Sequence, residues 1–149
     1  MPRVYLDVCC LNRPFDDQTQ DRIHLEAEAV VLILARFQAG EWEWVSSEAV
    51  DFEVDQLPDA TRRANVQRLL GHAQLTVPVT QAETERMQQL VALGFRSMDA
   101  LHIACAEVAA ADVFLSTDDR LLRRAARVAA QLQVRAENPL TWLREVTAP

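Results

Sequence analysis

The sequence has 149 residues, half of them apolar, and a formal charge of −7, which is enough chain for one sizeable core and too little for two ordinary domains. All fifteen basic residues are arginine, so Schiff-base chemistry on lysine and a Walker A loop are excluded, and the three scattered glycines make no GxGxxG cradle. No apolar run approaches the roughly 18 residues of a membrane span, no signal-peptide pattern precedes the first apolar segment, and three cysteines with two adjacent make neither a disulfide framework nor a CxxC pair. A single-domain cytoplasmic protein without a membrane partner is expected. The acidic balance speaks against a nucleic-acid partner, but arginine is the side chain suited to bidentate phosphate contact, and part of the acidic excess is accounted for if carboxylates gather at a metal.

Along the chain, Val4-Tyr5-Leu6 reads as a buried first strand that Cys9-Cys10-Leu11 continues until Asn12-Arg13-Pro14 breaks it. Apolar residues at Ile23, Ala27, Val30, Val31, Leu34 and Phe37 have the spacing of an amphipathic helix closing near Gly40. A second strand follows at Trp42 to Val45, then a short helix capped by Ser46 or Ser47, and another opened by Asp59 and closed by Gly71. Leu75 to Val79 is the third strand, and Thr80-Gln81-Ala82-Glu83 has the spacing of a capping box for a helix to about Leu93. The next helix starts after Ser97 and is apolar around so much of its circumference that it must be central. Val113-Phe114-Leu115 is the most strand-like run, followed by an alanine-rich helix to about Gln131, a short strand near Leu132 to Arg135, and a terminal turn through Pro139 and Trp142. Apolar strands alternating with helices give an α/β class with a mainly parallel sheet covered on both faces, a three-layer α/β/α arrangement.

In open parallel sheets, ligands bind at the carboxyl ends of the strands. Asp7 lies at the end of the first strand, Asp118 just after Phe114-Leu115-Ser116, Glu53 two turns into the helix after the second strand, and Asp99 at the start of the very apolar helix. Each of Glu53, Asp99 and Asp118 alone has an ordinary explanation as a helix acid favoured by the macrodipole or by solvent. Asp7, set between Val4-Tyr5-Leu6 and Val8-Cys9-Cys10-Leu11, is an acid inside an apolar run and needs a partner. Carboxylates brought together raise one another's pKa unless a cation sits between them, and Mg²⁺ or Mn²⁺ is the hard cation that takes oxygen ligands. His24, His72 and His102 form no recognisable metal or triad spacing and read as packing or surface residues.

Four segments together resemble the PIN-domain nucleases, which include the toxin ribonucleases of bacterial toxin–antitoxin modules. They are Tyr5-Leu6-Asp7, then Ser46 to Glu53, then Met98-Asp99-Ala100-Leu101-His102-Ile103-Ala104, and finally Phe114-Leu115-Ser116-Thr117-Asp118-Asp119. The resemblance spans essentially the whole chain. It implies an endoribonuclease dependent on Mg²⁺ or Mn²⁺, with Asp7, Glu53, Asp99 and Asp118 as the acidic catalytic set and Asp7, Asp99 and Asp118 on the metal. Asp119 is implied as a further or outer ligand, and Ser116, or else Thr117, as the hydroxyl before the last acid. RNA is the implied substrate, with an antitoxin protein and a second copy of the chain as implied partners. The chain departs from the commoner pattern in having Val8-Cys9 where many relatives have a polar residue and Asn; Asn12 is a candidate substitute. A one-turn difference in register would put Glu48 or Asp51 in the place of Glu53.

Arg120, Arg123, Arg124 and Arg127 recur at i, i+3, i+4 and i+7 and so share a helix face. That stripe reads either as a phosphate contact or as a solvated, ion-paired face, and Arg13 after the first acid is a further phosphate candidate. The alternative to a nuclease is a degenerate PIN-like module that binds RNA or a protein without cutting.

Overall fold

The computed structural model describes residues 1–149, and its first strand is shorter than the apolar run containing it. Strand β1 spans Arg3–Leu6, and the chain turns at Asp7 into helix α1, Val8–Asn12. Asp7 causes the break, because its carboxylate accepts a 2.8 Å hydrogen bond from the Val8 amide and caps the helix. Cys9, Cys10 and Leu11 are therefore helical, which corrects the reading that they prolong the strand; a short apolar run alone does not separate a buried strand from a buried helical turn.

The amphipathic segment forms α2, Asp21–Gln38, followed by β2, Glu43–Ser47, and α3, Glu48–Asp55. Ser47 caps α3 through its Oγ to the Val50 amide, and Asp59 caps α4, Ala60–Leu70. Strand β3, Leu75–Val77, leads to α5, Gln81–Ala92, and α6, Ser97–Val108. At the capping box before α5, the Thr80 hydroxyl meets the Glu83 carboxylate directly and makes no bond to the backbone.

Beyond β4, Val113–Leu115, helix α7 covers Asp119–Arg127 and gives way to a 3-10 turn at Ala129–Gln131, so it stops short of Gln131 as a regular helix. That turn displaces the last strand, β5, to Arg135–Glu137 instead of Leu132 to Arg135. The expected terminal turn is a nine-residue helix, α8, Pro139–Thr147. Asn138 caps it by accepting from the Leu140 and Thr141 amides, and Pro139 at its first position needs no amide donor.

All four strand pairings are parallel, in the order β3-β2-β1-β4-β5. Ring contacts fix the layers. Phe37 of α2 stacks on Trp44 with centroids 5.4 Å apart, and Trp142 of α8 meets Trp42 edge-on at 4.9 Å, so α2 and α8 cover one face. Tyr5 packs on Phe114 and points its edge at His102 of α6 on the other face. The chain steps from β1 to β2 to β3 in one direction and places β4 and β5 on the opposite side, so β1 and β4 flank the topological switch point. Ligand sites in open α/β sheets form there, outside the strand carboxyl ends. No helix is long and apolar enough to cross a membrane.

Candidate active site

Asp7 sits at the switch point, only 6% exposed. The Asp7 amide donates to the Leu115 carbonyl at 2.9 Å, which ties the end of β1 to β4. Its Oδ2 accepts from the buried Ser116 hydroxyl at 2.8 Å and from Cys9 Sγ at 3.4 Å. The same Ser116 oxygen accepts from the Asp118 amide at 3.1 Å, so one hydroxyl clasps the loops that carry two of the acids. Asp118 in turn caps α7, with Oδ1 accepting from the Arg120 and Leu121 amides and Oδ2 left open. Cys9 Sγ accepts from the Thr117 amide at 3.3 Å, so Cys9 completes the clasp from α1.

Glu53 reaches the cluster through a buried chain of hydrogen bonds. The Ser47 and Tyr5 hydroxyls lie 2.6 Å apart, Tyr5 Oη lies 2.9 Å from His102 Nδ1, and His102 Nε2 donates to Glu53 Oε1 at 2.8 Å. Both the neutral form with hydrogen on Nε2 and the charged imidazole satisfy that last bond. His102 has no exposed surface, so its ring cannot swing away. Donor atoms of Asp7, Glu53 and His102 all lie within 4.8 Å of one another. Because both imidazole nitrogens are already bonded, His102 serves here to hold Glu53.

Asp99, in the first turn of α6, joins this group electrostatically. Burial first, then the charges of Asp7 and Asp118, raise its pKa from the ordinary 3.8 to about 6, with Glu53 adding to the rise and His102 opposing it. Asp7 is also raised, chiefly by burial and further by Glu53, against the lowering by His102, Ser116 and Cys9. Four carboxylates from four segments of the chain thus share one neighbourhood, and their charges oppose the ionisation of Asp7 and Asp99. An oxygen-rich donor set with surplus negative charge and open carboxylate oxygens fits a hard divalent cation, not a soft thiolate-seeking one.

The raised pKa has a consequence for stability. Compared with an unfolded carboxylate near 3.8, folded Asp99 binds its proton more tightly, so its contribution is fully present below 3.8 and is lost as pH rises through about 6. Asp7 acts in the same sense. In EDTA, the melting temperature of the wild type should therefore fall more steeply between pH 4 and pH 7 than that of Asp99→Asn. Added Mg²⁺ or Mn²⁺ should raise it at neutral pH and scarcely at pH 4. Parallel melting curves for the two proteins would contradict this.

The remaining site candidates fall elsewhere. Glu48 accepts from the Val79 amide at 2.8 Å and so faces the end of β3, while Asp51 is exposed on α3 among Asp55 and Glu48. Of the three acids in that segment, Glu53 is the one gathered beside Asp7. Asp119 is held by Arg22, which lowers its pKa, through two 2.6 Å contacts. Its carboxylate is thereby committed to an ion pair and not to the acid cluster. Arg13, read from the sequence as a phosphate contact, is bound to Asp16 at 3.0 Å and to the fully buried Glu26 at 2.9 Å, and this leaves its guanidinium committed inside the fold. Asn12 keeps its side-chain oxygen buried without a hydrogen-bond partner, so it makes no bond to Asp7 through that oxygen.

Sequence reasoning missed Tyr5, Ser47, His102 and Cys9. One partial signal was present: Asp99 and His102 share a helix face at a spacing of three. The arginine stripe departs from the ion-paired reading. Arg120, Arg123, Arg124 and Arg127 line a cleft with Arg96 and Asp99, and none of these arginines enters an ion pair.

A family model described as PIN domain matches residues 4–128. Among solved structures, that of VapBC2 from Rickettsia felis bound to a DNA fragment from their promoter superposes with a TM-score of 0.57 at 11% identity, over 91% of this chain and 98% of that one. At that identity the likeness is one of fold. No curated protein matches the sequence significantly.

Proposed function

This chain belongs to the PIN-domain family, and from that premise we propose that it is a metal-dependent endoribonuclease and the toxin of a toxin–antitoxin pair. The observation that carries the reading is the convergence of Asp7, Glu53, Asp99 and Asp118 at the switch point of the sheet, where burial and the neighbouring acids' charges raise the pKa of Asp7 and of Asp99. Fold likeness to VapBC2 is consistent with an antitoxin as protein partner.

Asp7, Asp99 and Asp118 would hold Mg²⁺ or Mn²⁺, which when bound supplies charge stabilisation at the phosphate oxygens and an activated water. The protein's own groups have distinct tasks. Ser116 and the Val8 amide fix the Asp7 carboxylate, and the Arg120 and Leu121 amides fix Asp118 while leaving Oδ2 open. Glu53 spends Oε1 on His102, and Oε2 is free to orient or deprotonate a water at the scissile phosphate. Such groups work only if held within a fraction of an ångström, and burial of their supports provides that.

The test is cleavage of a labelled single-stranded RNA by purified protein. Mg²⁺ or Mn²⁺ should permit cutting, EDTA should stop it, and Asp7→Asn should match the EDTA result. Full activity in EDTA contradicts a metal mechanism. RNA that is bound but never cut with metal present would favour the degenerate binding module. The toxin role predicts an adjacent short gene for a DNA-binding antitoxin whose co-expression relieves growth arrest; growth unaffected by the protein alone contradicts it.

A further inference from the structure

Seven of the chain's arginines are in ion pairs, namely Arg3, Arg13, Arg22, Arg36, Arg62, Arg86 and Arg135. Five others converge on a single cleft of about 90 Å³ between the α5–α6 turn and α7: Arg96, Arg120, Arg123, Arg124 and Arg127. None of the five has a carboxylate within ion-pairing distance, in a protein whose net charge is −7. Like charges gathered without counter-charges repel, and a fold this rich in acids has the means to neutralise them. Instead the only acid on the cleft wall is Asp99 of the acidic cluster.

The cleft is built, not incidental. Gly94 has φ +107°, a conformation that side chains rarely adopt, and a Cβ there would lie 2.8 Å from Arg124 Nε. The turn therefore brings its bare backbone against the Arg124 guanidinium and holds it over the cleft. Leu121 anchors the floor from α7, 2% exposed, and Phe95 is 5% exposed and so offers no open ring for a base to stack on.

We infer that this arginine cleft seats backbone phosphates of the RNA strand flanking the scissile bond, and that it does so without reading base identity. The inference rests on the nuclease reading above and names how the same site holds its substrate. Planar guanidinium forks match phosphate oxygens in pairs, and forks engaged on phosphates are not available to base edges, while the wall adds no accessible aromatic ring or amide side chain to read a base. The adjoining Asp99 makes a strand lying in the cleft run directly onto the acidic cluster. Sequence preference, where the enzyme has one, then arises outside the cleft.

The test is fluorescence anisotropy of a fluorescein-labelled single-stranded RNA of about 20 nucleotides with the Asp7→Asn protein in Mg²⁺, across a salt series. Arg123→Ala/Arg127→Ala, both on exposed positions of α7, should weaken binding on the order of tenfold and reduce the salt slope by roughly 0.7 for each lost phosphate contact. The corresponding double lysine variant should recover part of both, and homopolymers of different bases should lose equally. Unchanged affinity and slope with a native melting curve overturn the inference, as does polyglutamate competing as well as RNA, which would mark the cleft as a seat for an acidic protein. The two readings fail separately. Arginine-dependent binding without cleavage by the wild type leaves the cleft standing and removes the nuclease, and metal-dependent cleavage with arginine-independent binding does the reverse.

Discussion

Asp99→Asn is expected to lower RNA cleavage about a thousandfold while leaving the fold intact, since loss of one carboxylate from a metal site removes several kcal/mol of transition-state stabilisation and each 1.4 kcal/mol is a factor of ten. The substitution is close to isosteric, and it removes the charge whose pKa is raised to about 6 by burial and by Asp7 and Asp118. Less mutual repulsion means that metal-free Asp99→Asn should be at least as stable as the wild type at neutral pH, even as activity is lost. That opposition is the diagnostic feature: a residue kept for packing alone would lose stability and activity together. Thermal melts in EDTA beside single-turnover cleavage in Mn²⁺ measure both quantities. Asp99→Asn cutting RNA within threefold of the wild type would remove Asp99 from the catalytic set.

His102→Phe is expected to cost both stability and activity. The ring is fully buried and bonded on both sides, so an apolar replacement leaves Tyr5 Oη with Ser47 alone and leaves Glu53 Oε1 without its donor. The lost bond to Tyr5 contributes about 1 kcal/mol and the lost bond to the Glu53 carboxylate about 1.5–3 kcal/mol, which places the loss in urea unfolding at roughly 2–4 kcal/mol. Release of Glu53 should lower the cleavage rate by roughly 10- to 100-fold, the scale of a misplacement of about 1 Å. Tyr5→Phe removes the link between Ser47 and His102. It should cost about 1 kcal/mol and leave cleavage within a few-fold of the wild type, because His102 still donates to Glu53. His102→Gln, which offers a donor near the same place, should recover part of the rate. Equal activity for His102→Phe and the wild type would show that the chain serves stability only.

Most of the architecture was legible because the period of the apolar residues reports which face is buried. The failures are local and share a cause. Cys9-Cys10-Leu11 is apolar in a helix as it would be in a strand, and only the capping bond from Asp7 decides between them. At the other end, Leu132 to Arg135 carried a strand-like pattern, but the 3-10 turn at Ala129–Gln131 consumed residues that no pattern reserved, and β5 forms where Phe114 pairs with Ala136. At the site, acids could be placed at strand ends from their sequence position. Their supports could not be, because the link from Tyr5 to His102 spans 97 residues and exists only once α6 packs on the sheet. The arginine stripe was legible as a helix face; its lack of ion pairs, and the part played by Arg96 and Gly94 from a different turn, belong to tertiary structure.

The central claim is that Asp7, Asp99 and Asp118 together hold the divalent cation on which RNA cleavage depends. Anomalous diffraction from crystals soaked in Mn²⁺ tests it most directly. A manganese peak bounded by those three carboxylates, with Glu53 still bonded to His102 beside it, is the predicted result; a saturating soak that leaves the three without a peak would contradict it.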